Sequence, residues 1–385
     1  MKDIFTILSL VVILIIAVIL SGATSDGIFN AEIVNAGKVI NMAKADITLS
    51  ENTEDLSLES YGIKWTPDSH LTYISFPNNT RRYFISGNQK TYYLDTSTST
   101  TLAEAIKNNP QFKESFGPDV NAVHRNGYST IGSVLQIDKE SPNHVIGFTQ
   151  NEQQKVNADA SLDYGNFTTT IGLLESNDGG KTWTDYGPVI RGDDYLEPGT
   201  KISGVGHPSA IIVGDYVYIY YVDWASQTNV FHADQIYLSR IKILEDGKKL
   251  DKFEFYKEGG FSEGEYNLKP VIPADAIENG KYSALPSISY NTALRKYLAF
   301  YETDRGFAVA FSQNGINWTR NKLIFYFTKP ISQRQDGDLW NSYPSLLSDK
   351  TEGSDQTTSA EGNLYYSQGV WPNTAHQLTK KEFSF

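Results

Sequence analysis

Short apolar and aromatic runs alternate with turn signals such as Asn-Gly, Asp-Gly and Gly-Asp along most of the chain. That is the period-two pattern of half-buried strands. Three segments repeat one pattern: His207-Pro208-Ser209-Ala210-Ile211, Leu285-Pro286-Ser287-Ile288-Ser289 and Tyr343-Pro344-Ser345-Leu346-Leu347. An aromatic β-rich run follows each of them, over residues 216–223, 296–304 and 364–368. A strand–turn–strand unit that cannot bury its own faces must stack on copies of itself, and this points to a β-propeller.

The expected strands fall into groups. The first holds 70–76 and 82–94, followed by a short helical insert at Thr101, a capping residue with Glu104 three positions on. The second holds 128–137, 144–150, 168–176 and 182–190; the third holds 208–213, 216–223, 235–243 and 252–256. The fourth holds 286–290, 296–301, 307–312 and 318–326, and the last holds 344–347, 364–368 and 377–385. At roughly 60 residues per group this is an all-β, five-bladed propeller, with a six-bladed sialidase-like ring as the alternative. A strand from the N-terminal side is expected to complete the last blade.

Residues 4–20 are almost unbrokenly apolar, and Ser21-Gly22-Ala23 then supplies small residues suited to signal-peptidase cleavage. Residues 1–23 therefore read as a signal peptide or a transmembrane anchor, which exports the rest to the periplasm, cell surface or exterior. An uncleaved segment would associate with a membrane. Residues 24–55, polar and acidic, read as a tether, and 56–385 as the propeller. There is no cysteine, which removes disulfides, thiolate metal sites and a thiol nucleophile. A net charge of −12 argues against nucleic acid, which needs clustered Lys and Arg. The chain is read as a monomer.

Ser176-Asn177-Asp178-Gly179-Gly180-Lys181-Thr182-Trp183 is an Asp-box, and Ser312-Gln313-Asn314-Gly315-Ile316-Asn317-Trp318 is a degenerate second copy. Asp and Gly in such turns serve the turn itself. On the blade pattern, residues from about 60 to 385 resemble the five-bladed glycosidases of the arabinanase, xylosidase and invertase type; the Asp-box is shared with sialidases. In the arabinanase-like enzymes an Asp precedes the third-blade Pro, and a general-acid Glu stands two residues before the fourth-blade Pro. His207 and Ala284 occupy those slots here. The resemblance places a general base near Asp68. It also allows a central calcium ion beside a histidine; no other cofactor and no protein metal site is expected.

Glycoside hydrolysis needs two carboxyl groups flanking the bond. The starts of inner strands and the ends of second strands share one funnel, so Asp68, Glu152, Asp223, Glu302 and Asp304 are the candidate catalytic acids. His124, Arg125, His207, Trp224, Arg305, Trp340 and Tyr343 are the candidate substrate-binding residues. Asp223 beside an exposed Trp224 is the leading pair, since an acid next to an aromatic suits the polar and apolar faces of a sugar. Arg125 and Arg305 could hold a substrate carboxylate, although a sialidase would need three arginines. Two function classes follow: an exported glycoside hydrolase-like protein acting on an oligo- or polysaccharide, or a non-catalytic surface propeller binding a glycan or protein.

Overall fold

The computed structural model describes residues 34–35, 38–39, 47–138, 140–192, 202–224, 235–244, 250–274, 283–319, 321–373 and 375–385. The expected signal or anchor segment lies outside them. Among the described residues no helix is long and apolar enough to cross a membrane. The chain forms two units, Met1–Asp46 and Ile47–Phe385. In the first, β1 (Val34–Asn35) and β2 (Lys38–Val39) pair antiparallel.

The second unit opens with two short strands, β3 (Thr48–Leu49) and β4 (Glu54–Leu56). A four-stranded sheet follows: β5 (Thr72–Ser75), β6 (Thr80–Gly87), β7 (Lys90–Ser97) and β8 (Lys113–Phe116). Between β7 and β8 lies the one α-helix of the described residues, α1 (Leu102–Lys107). Thr101 Oγ1 accepts from the Glu104 amide and the Glu104 carboxylate accepts from the Thr101 amide, so both orphan N–H groups are satisfied.

Next come β9 (Tyr128–Leu135), β10 (Val145–Val156), β11 (Leu162–Ser176) and β12 (Thr184–Ile190). A short parallel contact between β11 and the following strand joins them to β13 (Ser203–Val213), β14 (Tyr216–Asp223), β15 (Ile236–Ile243), β16 (Leu250–Lys257) and β17 (Gly260–Ser262). A further sheet holds β18 (Ser283–Asn291), β19 (Lys296–Thr303), β20 (Gly306–Ser312) and β21 (Lys322–Tyr326). The last holds β22 (Leu339–Leu347), β24 (Glu361–Val370) and β25 (His376–Ser384), with β23 (Thr357–Thr358) crossing to pair with β18. Both β3 and β4 add to β25, so the start of this unit completes its final sheet.

The repeated serine explains how the sheets meet. Ser209 Oγ accepts from the Ile288 amide at 3.0 Å, Ser287 Oγ from Leu346 at 3.2 Å, and Ser345 Oγ from Leu71 at 2.9 Å. Thr72 Oγ1 accepts from Val134 at 3.1 Å and Ser133 Oγ from Ala210 at 2.8 Å. These bonds run β13 to β18 to β22 to β5 to β9 and back to β13. The cycle closes, and the fold is a β-propeller around an axis lined by those inner strands. Gly132 allows a close approach of β9 to β13, since a Cβ there would lie 2.4 Å from the Pro208 carbonyl.

The proline repeats carry one backbone feature each. His207, Leu285 and Tyr343 have φ of 54°, 52° and 53°, and the register shifts between Gly206/Ser209, Ala284/Ser287 and Ser342/Ser345. A bulge tolerates the missing proline N–H and re-aims the side chain before it. It also lets pairing resume upstream, so β13, β18 and β22 start before the prolines where the sequence predicts their starts. At the other extreme, the strand expected from Trp318 begins at Lys322; Trp318 makes only an isolated bridge to Ser312.

Candidate functional site

Asp68 lies just before β5, its amide donating to Ser86 Oγ at 2.7 Å. The Tyr128 hydroxyl donates to the Asp68 main-chain oxygen at 2.5 Å and accepts from Thr130 Oγ1 at 3.0 Å. Tyr128 begins β9, and its register partner on β10 is Glu152. Residues on one strand face alternate, so Gln150, Glu152 and Gln154 point the same way. Gln150 Nε2 donates to Glu152 Oε1 at 3.0 Å, and Gln154 Nε2 to Oε2 at 2.6 Å. Gln150 Oε1 in turn accepts the His207 amide at 2.9 Å, linking β10 to the bulge of β13.

The electrostatics single out two carboxyl groups. Burial pushes Asp68 up to about 7, although hydrogen bonds from Tyr343 and Tyr128 oppose the rise. Asp68 is half-buried, whereas Glu152 is buried. Burial raises Glu152 to about 8, and the nearby charge of Asp68 adds to that, against the two glutamines. The charge of Asp68 disfavours ionisation of Glu152, so Glu152 is the second of the two to lose its proton. Tyr343 is held well above the usual phenol range by burial, with Asp68, Glu302 and Glu152 adding to the rise. It therefore remains a hydrogen-bond donor.

An aromatic file crosses the axis beside these acids. The His207 ring stands 5.7 Å from Trp224 and 5.7 Å from Tyr343; Tyr343 is 6.1 Å from His376, which is 5.1 Å from Trp340. The positive-φ bulges at His207 and Tyr343 bring two of these rings together from strands that are not neighbours in the ring. Gly206 permits the junction, because a Cβ there would lie 2.6 Å from Gln150 Oε1 and 3.3 Å from Trp224 Nε1.

The other expected residues divide between this file and separate contacts. Trp224 is buried rather than exposed, packed on His207, because the bulge turns the histidine toward it. Asp223 is also buried, opposite Val205 at the end of β14. Glu302 is fully buried and accepts from Ser342 Oγ at 2.6 Å. Asp304 accepts from the Ser332 amide and hydroxyl at 2.9 and 3.1 Å, so it ties the helical turn Ile331–Gln333 to the end of β19. Arg305 lies at the tip joining β19 and β20, and its main-chain oxygen accepts from Phe327. His124 and Arg125 are drawn to Asp185 on β12, at 3.2 and 2.8 Å, and Arg125 lies over the Phe116 ring. Trp340 is half-buried, with its indole N–H on the Asn373 carbonyl.

Tyr128, Gln150, Gln154 and His376 are the site residues that sequence reasoning missed. The alternation Gln150-x-Glu152-x-Gln154 at the end of a strand was a usable signal for the amides. His376 offered none.

A second constellation is structural. Ser345 Oγ lies 3.3 Å from His70 Nδ1, and His70 Nε2 lies 3.1 Å from Asp355. The order is that of a nucleophilic triad, but Ser345 is fully buried and already accepts the Leu71 amide. Asp355 also takes Thr72 Oγ1, at 2.9 Å, which ties the β22–β24 connection to β5. Among the described residues no group of three or more His, Asp or Glu could hold a metal ion.

No family model matches the chain, and no curated protein matches it. Among solved structures it is similar to an α-L-arabinofuranosidase from Podospora anserina in complex with cellotriose, at 12% identity over 88% of this chain and 96% of that one, with a TM-score of 0.49. It is also similar to an α-L-arabinanase from Penicillium chrysogenum complexed with arabinobiose, at 10% identity over 82% and 93%, TM-score 0.46. A family 117 glycoside hydrolase from the marine bacterium Zobellia galactanivorans gives 10% identity over 88% and 90%, TM-score 0.45.

Proposed function

We propose that this chain is an exported, five-bladed carbohydrate-active propeller that hydrolyses a glycosidic bond, with Glu152 as general acid and Asp68 as general base. The coupled carboxyl pair carries the reading. Glu152, raised to about 8, keeps its proton at neutral pH, while Asp68, at about 7, is substantially ionised there. Separating two carboxyl groups by environment is how one site supplies both a proton donor and a proton acceptor. The rings of His207, Tyr343 and Trp340 supply apolar faces beside the pair, as a sugar requires. The blade count rests on the five-membered cycle of hydroxyl–amide bonds, and export rests on the apolar run at residues 4–20.

The test is hydrolysis of a panel of aryl glycosides and oligosaccharides by the full chain. Glu152→Gln and Asp68→Asn should each lower kcat by about 100-fold or more, the usual scale for a positioned acid or base. The two roles separate on leaving-group acidity. A dinitrophenyl glycoside needs little protonation, so it should restore turnover to the Glu152 variant and not to the Asp68 variant. The rival reading, a glycan-binding propeller, draws on His207 and Ala284 standing where the resembling enzymes keep acids. Retention on a glycan array by wild type and both variants alike, with no sugar released, would put that reading in its place.

A further inference from the structure

We propose that Trp371 extends the aromatic file and forms with Trp340 an outer subsite for a further sugar unit, so that the site takes a glycan chain rather than a single glycosyl unit. The inference rests on the carbohydrate reading above, but it is read by binding and does not need turnover. Exposure rises along the file: His207 is buried, Tyr343, His376 and Trp340 are half-buried, and Trp371 is 39% exposed. Trp340 pairs with Gly369, and Leu339 with Val370, at the tips of β22 and β24. Just past the tips the Trp371 amide donates to the Asp338 carbonyl at 2.8 Å, and its carbonyl accepts from Gly337 at 2.8 Å. Gly337, with φ of 90°, and Asp338 thus stand together opposite Trp371, the two-against-one count of a glycine bulge. Alternation then puts Trp371 on the face of Trp340, as its diagonal neighbour, within the reach of aromatic side chains.

Both rings are held before any ligand arrives. The Trp340 indole N–H donates to the Asn373 carbonyl at 3.2 Å, and its ring meets His376 edge-on at 66°. It lies over Gly369, where a Cβ would come within 2.6 Å of Trp340 Nε1, so only glycine leaves room for the indole. Leu339 and Val370 are also exposed, which makes the tips of β22 and β24 an apolar end on the side of the ring that carries the file. The Asp338 carboxylate beside Trp371 is paired with Lys329 Nζ at 2.8 Å, so this charge is already matched. An aromatic surface with its neighbouring charge satisfied suits a neutral ligand that has an apolar face, and a sugar ring is one. Trp340 stands three residues before Tyr343, about 10 Å along the strand at its ordinary rise, farther than one sugar ring reaches. Only a chain of sugars touches both the acids and the tips.

The experiment is isothermal titration of the full chain carrying Asp68→Asn, so that no bond is cleaved, with arabino-, xylo- and cello-oligosaccharides of two to six units. In at least one series affinity should rise with length. There Trp371→Ala should weaken the longest sugar by about three- to tenfold, the scale of one aromatic contact, and the shortest by much less. Trp371→Tyr should recover most of that loss. Trp371 is exposed, so the core does not depend on it, and Tyr326→Ala, the same truncation at another exposed ring, should leave the length dependence intact. Affinity that is flat with length in all three series, or a loss on Trp371→Ala that is equal at every length, overturns the inference. So does sedimentation in which Trp371→Ala breaks a dimer while sugar binding is unmoved, because the apolar end is then a contact between two copies of the chain. Aryl glycosides cleaved without any length dependence would leave the hydrolase reading standing and the subsite fallen. Length-dependent binding through Trp371 with no glycoside cleaved would do the reverse.

Discussion

Asp68 and Glu152 sit where their ionised forms are disfavoured, so folding stability must register the pH at which they lose their protons. Their ordinary values are 3.8 and 4.5, and in the fold they stand at about 7 and about 8. Between roughly pH 4 and pH 8 the native state therefore binds more protons than the unfolded chain, and stability falls as pH rises through that window. Asp68→Asn and Glu152→Gln remove the ionisation while keeping hydrogen-bonding capacity. At pH 3.5 each should nearly match the wild type in urea denaturation, and at pH 9 each should be more stable by up to about 4 kcal/mol. Wild type and variants that keep the same difference at both pH values would show that the two carboxyls are not buried as described. A site whose acids destabilise the fold that holds them shows the usual conflict between a site and its fold.

At the scale of the element, the repeated Pro-Ser pair has two tasks. The proline sits in a bulge where no donor is required, and the serine hydroxyl supplies the acceptor for the next inner strand. Ser287→Ala should leave the buried Leu346 amide without its acceptor, at a cost of about 1–3 kcal/mol. Ser209→Ala should cost a similar amount through Ile288, read as a lower urea midpoint with unchanged slope. A change below about 0.5 kcal/mol in both would mean that water replaces the hydroxyl and the cycle does not brace the ring. Much of this was legible in the sequence, because proline and serine at fixed offsets recur wherever the same geometry recurs. The helix at Thr101 was legible for the same reason, its cap being local. The bulges were not, since positive φ at His207 and Tyr343 depends on pairing with a strand far along the chain. Trp224 was misjudged as exposed for that reason: its partner is a ring that only the bulge brings near. Glu152 was singled out as standing just past a strand expected to end at 150; β10 in fact runs on to Val156, and the charge of Asp68 reaches it from the neighbouring sheet.

The ring as a whole closes where the beginning and end of the second unit meet. Phe383 pairs with Leu49 and Leu378 with Leu56, so β3 and β4 are edge strands on β25. Sequence reading expected an N-terminal strand to close the last blade but carried the tether to residue 55, and the reason is chemical. Residues 51–55 are Glu-Asn-Thr-Glu-Asp, and an edge strand tolerates such polarity because one side of it faces water. Only Ile47 and Leu56 are clearly committed to the core there, and two buried residues nine apart give no periodic signal. A chain of residues 47–385 should therefore melt like the full chain, whereas residues 57–385 should melt several degrees lower. Losing the burial of Ile47 and Leu56 alone costs about 3–6 kcal/mol, before the exposure of Leu378 and Phe383 is counted. Ring closure also bears on the site: β25 starts at His376, whose ring lies 6.1 Å from that of Tyr343 in the aromatic file. The shorter chain should thus lose glycoside turnover at temperatures where its far-ultraviolet circular dichroism is still native. If both chains melt together and turn over equally, the terminal strands are ornaments on a ring already closed by its inner hydrogen bonds.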